Sequence, residues 1–314
     1  MKRLVFAFAI LLFCVATSAS DPPKRPRIFG IVYVRVLVTD VDKARDFYSL
    51  VLNAVPPPAG LQTPCDWCER APAGVGMTGR RLGPIELELT QAQGSPSLLK
   101  EVAFSTDDAK KLRDFLLKNH VTAEKLTKCG VAPCFSTLDP ENHRLIFVQR
   151  ADYPTIEIPI PGAYPSSPVS SPIIHAGFVV QDRATEDHFY KDILGFHVYW
   201  HGGMKDDKDD WVAMQVPDGT DWVEYMLNIS PSADKHTLGI MNHIALGVPD
   251  IHVAEQQLVK NGWKPGEKPQ MGRDCKWQLN LYDPDDTRVE FMEFKPTKEP
   301  CCSPYTGPHP GPPQ

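Results

Sequence analysis

The sequence has no cluster of lysines or arginines beyond scattered pairs, and its formal net charge is −6. It therefore lacks the electrostatic footprint of a nucleic-acid binder. It also lacks an apolar run of comfortable membrane-spanning length. The longest, LVFAFAILLFCVATSA, follows Lys2 and Arg3 and ends in small residues before Ser20-Asp21-Pro22. A basic start, a short apolar core and a small-residue end read as a secretory signal peptide over residues 1–19, cleaved near Ala19. Loss of Lys2 and Arg3 takes the net charge from −6 to −8. Cys14 follows Phe13, a poor context for lipoprotein cleavage. The mature protein is expected to be exported, periplasmic or extracellular, with no stable membrane span after cleavage.

Export changes how the cysteines read. In an oxidising compartment Cys65, Cys68, Cys129 and Cys134 are disulfide candidates. Their short spacings, CDWC and CGVAPC, also fit a four-thiolate zinc site. No helix pattern follows CDWC, which argues against a thioredoxin-like redox pair. With Cys275, Cys301 and Cys302 the mature count is odd, so at least one thiol is free or intermolecular. The pairing and the role of the Cys301-Cys302 tail stay open.

The chain repeats itself. YVRVLVTDVDKARDFYSLVLN from Tyr33 matches HAGFVVQDRATEDHFYKDILG from His175: a strand, an Asp, then a helix carrying Phe-Tyr. EVAFSTDDAKKLRDFLLKNH from Glu101 matches HIALGVPDIHVAEQQLVKNGW from His243. Asp40, Asp108, Asp182 and Asp250 stand at helix N-cap positions. Gly195 stands where a C′ glycine ends a helix. DPENHRLIFVQ from Asp139 matches DPDDTRVEFME from Asp283, each an Asp-Pro turn feeding an alternating strand. The unit is βαβββ, present four times, which makes an α+β fold of two paired-module halves. The halves are expected at residues 28–150 and 172–296. A Pro/Ser-rich linker over 151–171 separates them, and a Pro-rich tail spans 297–314.

Aligning the repeats brings four polar intruders into register. IMNHIALGVPDI, Ile240 to Ile251, reads as one buried strand with His243 inside it. His175 opens the matching strand, while Glu224 and Glu290 sit in the two closing strands. The gaps repeat: 49 residues from His175 to Glu224 and 47 from His243 to Glu290. A twofold arrangement would bring all four to one sheet face. Imidazoles with carboxylates suit a divalent transition metal, and a shared cation removes the cost of burying the carboxylates. Zinc, nickel, cobalt, manganese and iron all remain open. Gly177, Ala245 and Gly247 beside the histidines are expected to leave room for a second molecule at the metal. Trp200, Trp211, Trp222 and Trp277 are candidate walls for a small-molecule substrate. Arg273, with Lys276, is a candidate anchor for an anionic group.

HAGFVVQDRATEDHFYKDILGF, NHIALGV and YDPDDTRVEF resemble the vicinal oxygen chelate superfamily, which includes glyoxalase I, extradiol dioxygenases, epimerases and the fosfomycin- and bleomycin-resistance proteins. The resemblance is strong in the C-terminal half and weaker in the N-terminal half. It implies paired βαβββ modules around one divalent metal, held by His175, Glu224, His243 and Glu290. It further implies a substrate bound through neighbouring oxygens, an enediolate stabilised by the metal, and Glu224 or Glu290 as catalytic proton shuttle. The expected class is a lyase, isomerase or epimerase. The alternatives are an extradiol-type iron dioxygenase using His175, His243 and Glu290, and a binding protein without turnover. The N-terminal equivalents are Tyr33, Glu86, Glu101 and Ile146, a set without histidine, so that half is expected to have lost the metal. The oligomeric state is open, with a homodimer among the alternatives.

Overall fold

The computed structural model describes residues 24–52, 80–82, 85–89, 98–129, 132–149, 169–170, 172–300 and 302–312. The expected signal-peptide segment, Cys65, Cys68, Cys301 and nearly all of the expected linker lie outside the described residues.

The repeats fold as the alternation of their apolar residues dictates. The first unit gives β1 (Ile28–Val38), α1 (Val41–Leu52), β2 (Arg80–Leu82) and β3 (Ile85–Leu89). The second gives β4 (Leu99–Thr106), α2 (Ala109–Lys118), β5 (Thr127–Cys129), β6 (Ala132–Leu138) and β7 (Arg144–Gln149). The third gives β8 (Ile173–Val179), α3 (Arg183–Asp187) running into a π-helical turn over His188–Ile193, β9 (His197–Gly202), β10 (Trp211–Gln215) and β11 (Trp222–Met226). A short α4 (Lys235–Met241) leads into the fourth: β12 (Ile244–Val248), α5 (Ile251–Lys260), β13 (Gln270–Met271), β14 (Trp277–Tyr282) and β15 (Arg288–Glu293). The result is α+β.

Each helix starts where its Asp stands. The Asp108 carboxylate accepts from the Lys111 N–H at 2.8 Å, and Asp250 accepts from His252 and Val253 at 2.9 and 3.0 Å. These bonds satisfy donors that the first turn leaves unpaired. Asp250→Ala is therefore expected to cost about 1 kcal/mol, read as a lower denaturation midpoint with an unchanged slope. Gly195 ends the third unit's helix at φ +79°, which a Cβ disfavours.

The strands form two sheets of matching order. The N-terminal sheet runs β2-β3-β1-β4-β7-β6-β5, and the C-terminal sheet runs β13-β14-β15-β12-β8-β11-β10-β9. In each, the two opening strands lie antiparallel at the centre and each closing strand runs parallel to its opener. One apolar core, including Val34, Phe104, Phe147, Phe178, Tyr225 and Phe291, spans both halves.

The halves interlock through their Asp-Pro turns. The Tyr48 hydroxyl of α1 donates to Asp283 at 3.0 Å, and the Tyr190 hydroxyl donates to Asp139 at 3.0 Å. Thr39 N–H bonds Asp285, as Gln181 N–H bonds Glu141. Asn142 and Asp286 both take positive φ, at 71° and 67°.

One expectation changes. Ile240–Met241 is not strand: Asp234 caps a helix by accepting from Thr237 N–H at 2.8 Å, and α4 runs to Met241. The strand proper begins at Ile244, so His243 stands at its mouth. The described tail residues lie along the body. Thr306 N–H bonds the Tyr199 carbonyl at 3.0 Å, and Gln215 donates to the Pro308 carbonyl at 2.8 Å. Cys129 and Cys134 form a disulfide across the β5–β6 hairpin, Cα to Cα 5.7 Å, so they supply no thiolates for zinc. Cys275 and Cys302 are free. Among the described residues no helix is long and apolar enough to cross a membrane.

Candidate metal centre

Strand register builds the C-terminal site. His175 on β8 stands beside Trp222 of β11 and Ala245 of β12, and Ala245 stands beside Glu290 of β15. One step along the same face, Gly177 stands beside Glu224, and it exchanges backbone bonds of 2.8 and 3.1 Å with His243. Side chains two residues apart share a face, so the four polar residues occupy two adjacent rows of one sheet surface.

They converge. The Nε2 atoms of His175 and His243 are 3.0 Å apart. His243 Nε2 lies 3.3 Å from a Glu224 oxygen and 3.6 Å from a Glu290 oxygen. His175 Nε2 lies 3.8 and 3.6 Å from the same two oxygens. Ligands held roughly 2.1 Å from one ion stand about 3.0–3.4 Å apart in tetrahedral or octahedral geometry. Both imidazoles are fully buried.

The donor chemistry fits a cation. His243 Nδ1 lies 2.9 Å from the Met241 carbonyl, so Nδ1 carries the proton and Nε2 presents its lone pair. That lone pair faces another imidazole nitrogen. Glu290 Oε1 is buried with no hydrogen-bond partner. Burial pushes both carboxyls up, but the two histidines outweigh it. Glu224 ends below its ordinary range and Glu290 is held down to about 2, helped by Arg288. Burial, then the Arg288 charge, pushes His243 down toward its neutral form. Two carboxylates held low and a His243 driven toward its neutral form, gathered with His175, are a donor set for a divalent metal.

The glycines serve the protein rather than a guest. A Cβ on Gly177 would sit 2.1 Å from His243 Cε1 and 2.2 Å from Nδ1, so the missing side chain is what admits the His243 ring. A Cβ on Gly247 would meet Phe294 at 2.3 Å. The room expected for a second molecule is therefore not at these glycines.

The aromatic residues divide. Trp222 stacks on His175, ring centres 4.7 Å apart. Trp200, Trp211 and Trp222 cluster with Tyr199, Ala245 and Tyr305 on the site face. Trp277 lies on the opposite face, against the main core and His252 of α5, because odd positions of β14 point away from Glu290. Arg273 is a surface tie: it donates to the Gly203 carbonyl at 3.1 Å and pairs with Asp206.

Lys276, not Arg273, reaches the site. It is fully buried, and its ammonium stands 4.6 Å from the Trp222 ring centre, 5.2 Å from Tyr199 and 5.3 Å from Tyr305. Among the described residues its hydrogen-bond partner is the Tyr199 hydroxyl, at a long 3.4 Å. Burial pushes it down to about 8, against the opposing charges of Asp274, Glu290 and Glu224. The tail shuts this box: Tyr305 donates to the Asp274 carbonyl at 2.8 Å, and His309 pairs with the Tyr199 hydroxyl. The sequence offers Lys276 beside Arg273 as a candidate anion anchor; what it does not announce is that Lys276 is buried and Arg273 is not.

The N-terminal half fills the equivalent place with an ion pair. Glu101, at the position of His243, is 3.0 Å from the Arg35 guanidinium and accepts from the Tyr33 hydroxyl at 3.2 Å. Arg35 occupies the position of Gly177. Ile146 is buried in a small apolar cluster with Tyr33 and Ala103. Glu86 lies on β3, opposite Arg35 in register.

Residues 173–291 match the family model described as the Glyoxalase/Bleomycin resistance protein/Dioxygenase superfamily. No curated protein matches the sequence. Solved structures share the fold. A variant of homoprotocatechuate 2,3-dioxygenase from B. fuscum aligns with TM-score 0.58 at 16% identity, covering 87% of this chain and 73% of that one. A room-temperature structure of an extradiol ring-cleaving dioxygenase from the same organism gives 0.56 at 18%, with the same coverage. The complex of the Brevibacterium fuscum enzyme with 3,4-dihydroxyphenylacetate gives 0.55 at 18%, covering 87% and 82%. At these identities the likeness is one of fold.

Proposed function

We propose, on the premise that residues 173–291 form a domain of the glyoxalase/bleomycin resistance protein/dioxygenase superfamily, that the protein is an exported metal-dependent enzyme of proton transfer. Its substrate would be a small molecule bound through two neighbouring oxygens. The observation that carries this reading is that two carboxylates, Glu224 and Glu290, rather than one, each lie 3.3–3.8 Å from both imidazole nitrogens. A bound divalent ion would polarise the substrate oxygens and lower the barrier to removing the adjacent C–H proton.

The residues divide the remaining work. His175 and His243, fully buried and the latter fixed through Met241, hold position. Glu290 is nearly as buried, whereas Glu224 is 13% exposed, the most open of the set. Glu224 is therefore the better proton shuttle, since a base must reach its substrate. Trp222 and Tyr199 form an apolar wall that excludes water, and the Lys276 ammonium supplies a donor for a substrate oxyanion. Export rests on the basic-apolar start of the sequence.

The fold likeness to ring-cleaving dioxygenases favours one second reading, an iron-dependent dioxygenase using His175, His243 and Glu290. Elemental analysis of anaerobically purified protein separates the two. Nickel, zinc, cobalt or manganese is expected, with solvent deuterium exchanging into the carbon beside an α-hydroxy carbonyl and no oxygen uptake. Iron together with oxygen uptake on a catechol would replace the first reading by the second.

A further inference from the structure

The interlock between the halves has two equivalent corners, and two of the differences between them bear on chemistry. At one corner Asp283 accepts from Tyr48, with Thr287 closing the turn and Ala44 one helical turn before Tyr48. At the other Asp139 accepts from Tyr190, with His143 and Glu186 in those same places. So one corner carries an imidazole and a carboxylate where the other carries a hydroxyl and a methyl.

The added groups converge. One ligand atom each of Asp139, His143 and Glu186 lies within 4.8 Å of the others. Asp139 and Glu186 are buried and His143 is nearly so. His143 Nδ1 lies 2.7 Å from Asp139 Oδ2, and its ring stacks on Phe178 with centres 4.4 Å apart. Glu186 Oε1 accepts from the Glu141 N–H at 3.0 Å, but Oε2 is buried with no partner. A fully buried carboxylate with an orphan oxygen beside a second carboxylate is costly unless it takes a proton or a cation lies between them; burial, then the Asp139 charge, pushes Glu186 up to about 9, and a cation would displace that proton. Asp139 also lines a groove of about 460 Å³ with Glu124, Ser136, Arg144 and Phe189, a groove that His143 and Glu186 do not line.

We propose that Asp139, His143 and Glu186 bind a second divalent cation, of the zinc type, at the junction of the halves. Two oxygens and one imidazole nitrogen suit such an ion and leave a coordination position open. Asp139 and His143 belong to the N-terminal half and Glu186 to α3, so the ion would clamp the halves together. This site is independent of the His175–His243 centre.

The test titrates metal-freed full-length protein with Zn²⁺ against a chromophoric chelator. His243→Ala silences the first centre, and H143T/E186A rebuilds the second as its symmetric counterpart. The His243→Ala protein is expected to keep one tight equivalent and to gain thermal stability on adding zinc. The triple variant is expected to show neither. Equal zinc binding by the two overturns the proposal. Should H143T/E186A fail to fold, Glu186→Gln in the His243→Ala background carries the test, since it keeps the shape and the bond from Glu141. A tenfold or greater loss of zinc affinity is expected there, and unchanged affinity overturns the site. Co²⁺ gives a parallel readout: a ligand-field absorption band in the His243→Ala protein that Glu186→Gln removes.

Discussion

Gly177→Ala is expected to remove one metal equivalent per chain, as completely as His243→Ala does, although Gly177 has no side chain to ligate anything. The added Cβ would stand 2.1 Å from His243 Cε1, 2.2 Å from Nδ1 and 3.0 Å from Nε2. No real contact is that short, and the ring cannot slide aside cheaply. It is rigid, fully buried and tied to the Met241 carbonyl at 2.9 Å. The imidazole must leave, and its Nε2 leaves with it. Overpacking of this kind costs about 1–3 kcal/mol of stability. A double-mutant cycle separates the effects: in Gly177→Ala/His243→Ala the methyl fits where the ring was, so most of that stability returns while the metal does not. Metal content by elemental analysis and midpoints of denaturation read both. Full metal content in Gly177→Ala would mean that His243 does not stand against this strand.

The same glycine shows what a sequence makes legible. The βαβββ unit could be read because it is written four times, with an Asp starting each helix and an Asp-Pro pair before the last strand of each half. His175 and His243 stood out because an imidazole in an apolar strand needs a reason, and the repeats aligned them with Glu224 and Glu290. Packing partners were not legible. Small residues beside the histidines read equally well as space for a guest or for the histidine ring, and only register across β8 and the start of β12 decides. The N-terminal half lost its histidines visibly, yet the replacement was hidden: Arg35 meets Glu101 only because Gly177's counterpart carries a guanidinium. The burial of Lys276 was hidden for a longer-range reason. The lysine is buried because the tail returns some 30 residues later to lay Tyr305 over it, and no local pattern announces that contact.

Lys276→Met carries the second large effect, on ligand binding. Oxalate, a small dianion with neighbouring oxygens, is the probe. At pH 7 the variant is expected to bind it about 10–100-fold more weakly, with the same metal content, because a cation close to the charges of Glu224 and Glu290 has been removed. The pH profile identifies the group. Lys276, pushed down to about 8 by burial, is charged below that pH and loses its proton above it. Oxalate binding by wild type should break downward near pH 8, whereas Lys276→Met should show no break there. Stability gives an independent sign. Burial already raises Asp274 to about 6, and Lys276 opposes that rise, so removing Lys276 lifts it further. A carboxyl whose folded value lies above its unfolded value contributes stability below the unfolded value and loses it as pH rises through the folded one. Removing Lys276 also removes the cost of its buried charge below about pH 8, so the variant's stability relative to wild type should be highest near pH 4 and show a deficit of about 1–3 kcal/mol at pH 7 compared with that, because Asp274 is then buried without its partner. Adding Asp274→Asn should erase that deficit while leaving oxalate binding weak. If Lys276→Met binds oxalate as wild type does across pH 6–9, the ammonium does not face the metal centre and the substrate need not be anionic.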